Sequence, residues 1–212
     1  MTKTKTRAAS ASVLIAILGT VLSVGGVATA APACTITGTR HDDVIQGTPG
    51  DDVICGRGGD DEIHGRAGND IIRAGGGRDL VRGGRENDRI FGGGGGDVLL
   101  GDRDDDVIKG QQGRDVLRGA LGDDQAFGGG RRDLIYGGRG LDFLRGSGGR
   151  DRIRGGMDAD DIAGGAGGDR LIGWGGDDTI DGVDGVGGND VLKGGGGVDT
   201  CTADPGDTIM GC

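Results

Sequence analysis

Residues 47–73 read GTPGDDVIC, GRGGDDEIH and GRAGNDIIR, three successive nine-residue units of one pattern. The pattern runs from Gly38 to Thr202 as eighteen units, interrupted once by three extra residues at 182–184. Position six is Asp in all eighteen units, and position one is Gly in all but one. Position four is Gly in thirteen units, and position eight is aliphatic in sixteen. Repetition this regular predicts a solenoid of stacked, equivalent turns.

The spacing predicts how each unit is folded. Gly at positions one, two and four is expected to allow positive φ in a six-residue turn. Positions seven to nine are expected to form a three-residue strand that points outward, inward and outward, so that only position eight is buried. Two units make one coil, and neighbouring coils stack about 4.8 Å apart. The predicted fold is all-β, a right-handed parallel β-roll (β-helix) solenoid of about nine 18-residue coils with two short strands per coil.

Over residues 38–202 this pattern resembles the RTX, or hemolysin-type, calcium-binding nonapeptide G-G-x-G-x-D-x-U-x. The resemblance implies extracellular binding of multiple Ca²⁺ ions, with the position-six carboxylates and turn carbonyls as ligands. Stacking favours the same interpretation, because carboxylates about 4.8 Å apart repel one another unless a cation lies between them. Ca²⁺ accepts about six to eight oxygen ligands in flexible geometry, whereas Mg²⁺ requires a tighter octahedron.

Five turns are expected to be compromised as calcium sites, because position four is His, Glu, Asp or Arg in place of Gly. These residues are His41, Glu86, Asp104, Arg131 and Asp158. Pairs of stacked turns with Gly at position four in both predict eight sites, one of which, Asp169 with Asp190, is disturbed by the insertion at 182–184. The predicted metal ligands are Asp52, Asp61, Asp70, Asp79, Asp97, Asp115, Asp124, Asp142, Asp151, Asp169, Asp178, Asp190 and Asp199.

Both ends of the chain differ from the repeats. Residues 1–33 read as a secretory signal peptide, because three basic residues precede the uncharged apolar run 13–22 and small residues follow it. Cleavage after Ala30 and cleavage after Ala33 fit equally well. A membrane anchor fits less well, since Gly and Ser dilute the apolar run. The mature chain is therefore predicted to be secreted, without a membrane span.

The four cysteines flank the repeats. In an exported protein they are expected to form disulfides. Of the three possible pairings we predict Cys34 with Cys55 and Cys201 with Cys212, because each closes a short loop. The predicted domains are the signal peptide at 1–33, the roll at 34–202, and a disulfide-locked cap at 203–212, where the nonapeptide register breaks.

The composition excludes several functional classes. The formal net charge of -10 disfavours nucleic acid as a partner. Two His and few Ser cannot build a known catalytic constellation, so no enzymatic activity is expected, and the roll is expected to be a monomer. One apolar side chain per nine residues cannot offset the entropy of ordering the chain, so calcium binding is expected to drive folding.

An alternative hypothesis is a calcium-stiffened extracellular scaffold or adhesin. Its outer Arg and aromatic rows would bind a polysaccharide or a cell surface. Cations at position nine would form such rows, although a solvated face that balances the acidic edges explains them better: Arg73, Arg82, Lys109, Arg118, Arg145, Arg154 and Lys193. Arg also stands at position five, beside a ligand Asp, where it would either weaken the calcium site or pair with the carboxylate when calcium is absent: Arg78, Arg114, Arg132 and Arg150.

Overall fold

The computed structural model describes residues 31–212, which form an all-β parallel solenoid of about ten turns. The odd-numbered strands make one ten-stranded sheet, sheet A: β1 Ile36–Thr37, β3 Val53–Gly58, β5 Ile71–Gly76, β7 Arg89–Gly95, β9 Val107–Gly113, β11 Gln125–Gly130, β13 Phe143–Gly148, β15 Asp161–Ala166, β17 Thr179–Gly182 and β19 Thr200–Ala203. The even-numbered strands make sheet B: β2 Val44–Gln46, β4 Glu62–Ala67, β6 Leu80–Arg85, β8 Val98–Arg103, β10 Val116–Leu121, β12 Leu134–Arg139, β14 Arg152–Met157, β16 Arg170–Gly175, β18 Val191–Gly196 and β20 Thr208–Met210.

The strands are longer than the sequence pattern predicted. Most run for six residues, from position seven of one unit to position three of the next, and the turn shrinks to positions four to six. Strand β3, for example, pairs with β5 from Val53 opposite Ile71 to Gly58 opposite Gly76. The prediction of a six-residue turn was therefore wrong, because positions one to three of most units extend the preceding strand and pair with the neighbouring coil.

The core lies between the two sheets and is one position-eight side chain deep. From Ile54 to Leu192 these side chains are fully buried, and Ala74, at position one, joins them. The prediction that position eight supplies the core is confirmed. Because position eight faces the core in every strand, equivalent turn residues lie above one another along the edges of the roll.

The ends add one coil to the expected nine. Strand β1 pairs with β3, and β20 pairs with β18, with Thr208 opposite Val191. The tail therefore extends sheet B, and Thr208 follows Val191 by 17 residues where Leu134 follows Val116 by 18, so the nonapeptide register does break within 203–212. The structure contains both predicted disulfides, Cys34–Cys55 and Cys201–Cys212, each with a Cα–Cα distance of 5.9 Å.

Two further segments, the insertion at 182–184 and the predicted signal peptide, lie outside the regular repeats. The insertion at 182–184 begins at the last residue of β17 and leaves the ladder of sheet B intact, since Arg170 still pairs with Val191. The signal peptide predicted at 1–33 lies, except for its last three residues, outside the described residues. No helix capable of spanning a bilayer occurs in residues 31–212.

Candidate metal centre

The fold gathers the position-six carboxylates into two columns, one along each edge of the roll. The first edge carries Asp43, Asp61, Asp79, Asp97, Asp115, Asp133, Asp151, Asp169 and Asp190. The second edge carries Asp52, Asp70, Asp88, Asp106, Asp124, Asp142, Asp160, Asp178 and Asp199. All are buried except Asp43 and Asp199, which are half-buried at the two ends.

Each column is held in register by its own carboxylates. The Oδ1 atom of a position-six Asp accepts a hydrogen bond from the backbone N–H of the position-six Asp one coil earlier. In the middle of the second edge, Asp124 Oδ1 accepts from Asp106 N–H at 2.9 Å. All sixteen stacked pairs make this bond, at 2.7–3.0 Å. The structure thus brings together every pair that the sequence predicted.

The second carboxylate oxygen has no such partner. In fifteen of these Asp residues, all between Asp61 and Asp190, Oδ2 is buried and accepts no hydrogen bond from the described residues. A buried ionised oxygen without a partner is strongly unfavourable. Each of these atoms therefore calls for a proton or a cation.

The position-one Gly explains where Oδ2 lies. A Cβ at Gly65 would collide with Asp70 Oδ2 of the same unit and with the carbonyl of Gly83 in the next coil. Within the repeats, positive φ recurs at positions two and four, as at Gly75 (123°) and Gly77 (133°), and at position one it occurs at Gly185 (84°) alone. The prediction of positive φ at position one was therefore wrong for every other unit. Gly is required there because the Asp carboxylate occupies the space of a side chain.

The structure does not separate the turns by their position-four residue. Glu86, Asp104, Arg131 and Asp158 adopt φ of 65–81°, in the left-handed region that Gly occupies elsewhere. The position-six carboxylates of those four turns are as buried as the predicted ligands: Asp88, Asp106, Asp133 and Asp160. Sequence reasoning omitted them because it weighed position four, whereas the column geometry depends on positions one and six.

Burial raises the pKa values of the carboxylates in the two columns. Desolvation, with some repulsion from neighbouring carboxylates, raises the pKa of Asp106 and of Asp160 to about 8. The same causes raise the pKa of Asp97 and of Asp124 to about 7. The N–H bond to Oδ1 lowers each pKa in part. Without a cation, these carboxylates hold protons near neutral pH.

In the first two turns, Thr donors satisfy the Oδ2 atom of the position-six Asp. Thr39 and Thr48, at position two, each donate a backbone N–H and a hydroxyl to Oδ2 of Asp43 and Asp52, at 2.6–2.9 Å. These two carboxylates are satisfied by protein donors. The oxygens that lack partners therefore belong to the turns beyond the first coil.

The donor set fits calcium. The oxygens that recur in every turn are those of the position-six carboxylate and of the main chain, and these are ligands that Ca²⁺ prefers. Between residues 31 and 212 no group of three His, Cys, Asp or Glu side chains has an arrangement that could hold a metal ion by itself. Backbone carbonyls must therefore complete the shell of an ion held by stacked carboxylates.

The irregular coil keeps its column. Asp169 N–H donates to Asp190 Oδ1 at 2.7 Å across the insertion. Within the insertion, Asp184 Oδ2 accepts from Gly167 N–H at 3.0 Å. Beyond the repeats, Asp207 Oδ1 accepts from Asp190 N–H at 3.2 Å. The insertion thus stays hydrogen-bonded to the neighbouring coil through Asp184, and the tail continues the first edge.

Comparison with known families agrees with this geometry. The family model described as RTX calcium-binding nonapeptide repeat (4 copies) matches seven stretches, which together cover residues 37–210: 37–72, 56–90, 64–99, 91–126, 127–162, 154–187 and 183–210. No curated protein matches the chain.

Proposed function

Because the chain belongs to the RTX calcium-binding nonapeptide repeat family, we propose that it binds several Ca²⁺ ions between its stacked turns and folds as it binds them. The observation that carries the proposal is the set of fifteen buried Oδ2 atoms that accept no hydrogen bond from the described residues. Burying one unpaired carboxylate costs several kcal/mol. A column of unpaired carboxylates therefore favours the unfolded chain until cations bind between the turns.

The position-six Asp, the position-one Gly and the turn carbonyls would have different roles in holding the ion. Oδ1 of each position-six Asp holds the neighbouring coil through its N–H group, and Oδ2 would face the ion. The position-one Gly leaves room for the carboxylate, and turn carbonyls would complete the shell. Bound Ca²⁺ supplies positive charge and ligation that joins one turn to the next. Ion binding and stacking are therefore expected to be cooperative.

We also propose that the protein is secreted and acts by binding, without catalysis. The basic start, apolar run and small residues of 1–33 support export, as do the disulfides at both ends of the roll. Expression of the full chain with its leader tests this. Mature protein in the culture medium, beginning after Ala30 or Ala33, is expected. Retention of an uncleaved chain in the cell would contradict the proposal.

Ion stoichiometry tests the binding itself. Purified, disulfide-intact protein is stripped of metal and dialysed against buffered free Ca²⁺, and bound calcium is measured per chain. Several ions per chain are expected, with half-saturation at about 0.1–1 mM, the range of extracellular modules. Bound calcium indistinguishable from that of a metal-free control protein would refute the proposal.

A further inference from the structure

Several cations of the position-nine rows, the first candidates for a binding surface, already contact aromatic rings or a carboxylate of the roll. The Lys109 ammonium lies 5.9 Å from the ring centre of Phe91 and 5.3 Å from that of Phe127. Arg145 stacks on Phe143 at 3.6 Å and bonds Asp161 at 3.0 Å. These cation–π contacts stabilise the outer face of sheet A and leave those cations less available to a ligand.

The first edge carries a different set of cations. Arg114, Arg132 and Arg150 occupy position five in three successive coils, and Arg131 lies beside Arg132 at position four. All four are exposed, and within the described residues none of them makes an ion pair. They line a groove of about 420 Å³ with Gly149, Ala166 and Gly167, and no acidic residue lines it. We call this surface the arginine groove.

Elsewhere on the two edges, position five has a regular structural role. Every Asp at this position accepts a hydrogen bond from the position-five N–H of the next coil. Asp60 Oδ1, for example, accepts from Arg78 N–H at 2.7 Å. The other acceptors are Asp42, Asp51, Asp105, Asp123 and Asp177. Where position five is Asp, its carboxylate thus bonds one N–H group of a neighbouring coil.

In the arginine groove the carboxylate is missing and the N–H groups remain. Arg132, Arg150 and Gly168 each have an Arg at position five of the preceding coil. Arg has no acceptor atom, so within the described residues no position-five side chain accepts from their N–H groups. No backbone carbonyl of the described residues accepts from them either. The groove therefore presents a row of N–H donors beneath a row of guanidinium groups, both repeated once per coil.

We propose that the arginine groove binds a carboxylate-bearing polysaccharide, whose acid groups take the places that position-five Asp carboxylates hold elsewhere. The inference rests on the proposed function, because calcium must order the coils. The donors recur about every 4.8 Å, comparable to the rise of one sugar residue in an extended chain. Carboxylates bonded to guanidinium and N–H groups together are charge-assisted and strong.

The chain's acidity does not oppose this ligand. Without Lys3, Lys5 and Arg7 of the leader the formal charge is -13, which about six or seven bound Ca²⁺ ions would cancel, and the groove itself contains no acid. A polyuronate is favoured over nucleic acid, since the internal group that it replaces is itself a carboxylate. Binding should therefore depend on calcium and on the carboxylate.

Titration calorimetry with the calcium-loaded full-length mature protein tests the proposal. The probe is a hexagalacturonate, and neutral maltohexaose is the control ligand. The triple variant Arg114→Gln/Arg132→Gln/Arg150→Gln is expected to lower affinity by at least about tenfold, since several charge-assisted hydrogen bonds are lost. Arg132→Asp is expected to weaken binding as well, because the new carboxylate would accept Arg150 N–H.

A matched variant separates the groove from general charge. Arg82→Gln/Arg118→Gln/Arg154→Gln removes the same charge from the outer face of sheet B and should change affinity less than about threefold. Equal losses in both triple variants, or equal binding of an oligonucleotide, would overturn the inference. Absence of hexagalacturonate binding to a protein that folds normally with calcium would overturn it too, while leaving the calcium function standing. A protein that does not fold with calcium would instead refute the proposed function first.

Discussion

At the scale of the residue, the position-six Asp has two separate tasks. Its Oδ1 atom accepts a neighbouring N–H, as in the bond of Asp124 to Asp106 at 2.9 Å, while its Oδ2 atom remains without a protein donor. Asn can perform the first task and not the second, because an amide keeps one acceptor oxygen and has no charge. The two roles can therefore be separated by substitution.

Asp124→Asn is expected to weaken calcium binding and to stabilise the calcium-free roll at pH 7. The amide removes a buried charge, at a position where burial raises the pKa to about 7, and it retains the acceptor for Asp106 N–H. Bound calcium per chain measures the first effect, and the β signal of the protein in chelator, measured by far-UV circular dichroism, measures the second. The control is Asp123→Asn in the same turn, an exposed position-five residue, which should leave calcium binding within about twofold of wild type.

Equal calcium binding by Asp124→Asn and the wild-type chain would show that this carboxylate holds no ion. A loss as large in Asp123→Asn would place the ion outside the column.

The position-one Gly can be tested in the same unit. A methyl group at Gly119 would overlap the carboxylate of Asp124, whereas one at Gly94, at position three, would meet nothing within 4 Å. Gly119→Ala is therefore expected to destabilise the calcium-loaded roll by about 1–3 kcal/mol, as overpacking does. Gly94→Ala should be close to neutral in thermal melting. Ala74 occupies position one in the natural chain, so the coil can adjust in at least one turn.

Equal melting temperatures for the two Ala variants would contradict the steric explanation of the position-one Gly.

At the scale of the element, each turn is stable only as part of a column. Burial and neighbouring carboxylates raise pKa values along both edges, to about 6 at Asp70 and about 8 at Asp160. A carboxyl group whose pKa is raised by folding stabilises the fold when protonated. That contribution is complete below the unfolded pKa near 3.8 and is lost as the pH rises through about 6–8.

The calcium-free chain is therefore expected to gain β structure as the pH falls from about 8 to 5, since protons replace the missing cations. Calcium affinity should fall over the same range, because protons compete for the same carboxylates. Far-UV circular dichroism of metal-depleted protein measures the first effect, and calcium titrations at several pH values measure the second. Loss of β structure on acidification in this range would contradict the pKa assignments.

The elements also show which features could be predicted from sequence. Invariant Asp at position six and aliphatic residues at position eight predicted the stacked coils, the buried column and the Asp pairs. The strand length was missed, because a Gly-rich segment can be either a turn or an extended ladder and only the pairing of coils decides between them. The carboxylates of Asp88 and Asp160 were also missed, since Glu86 and Asp158 adopt the backbone expected of Gly.

At the scale of the whole molecule, the roll contains two columns of buried carboxylates and has one disulfide near each end. Its core is one side chain deep, so the coils depend on their edges for cohesion. The tail could not be assigned from the pattern, because Thr208–Met210 joins sheet B without the nonapeptide spacing. The arginine groove was equally hidden, since it depends on which N–H groups stacking leaves without an acceptor.

Far-UV circular dichroism of the disulfide-intact, metal-depleted mature chain, titrated with Ca²⁺ at pH 7.5 and with Mg²⁺ as the control, tests the central claim most directly. We expect a largely unfolded spectrum that converts cooperatively to β structure at about 0.1–1 mM Ca²⁺, with little change in Mg²⁺. A β spectrum already complete in chelator and unchanged by calcium would contradict the account.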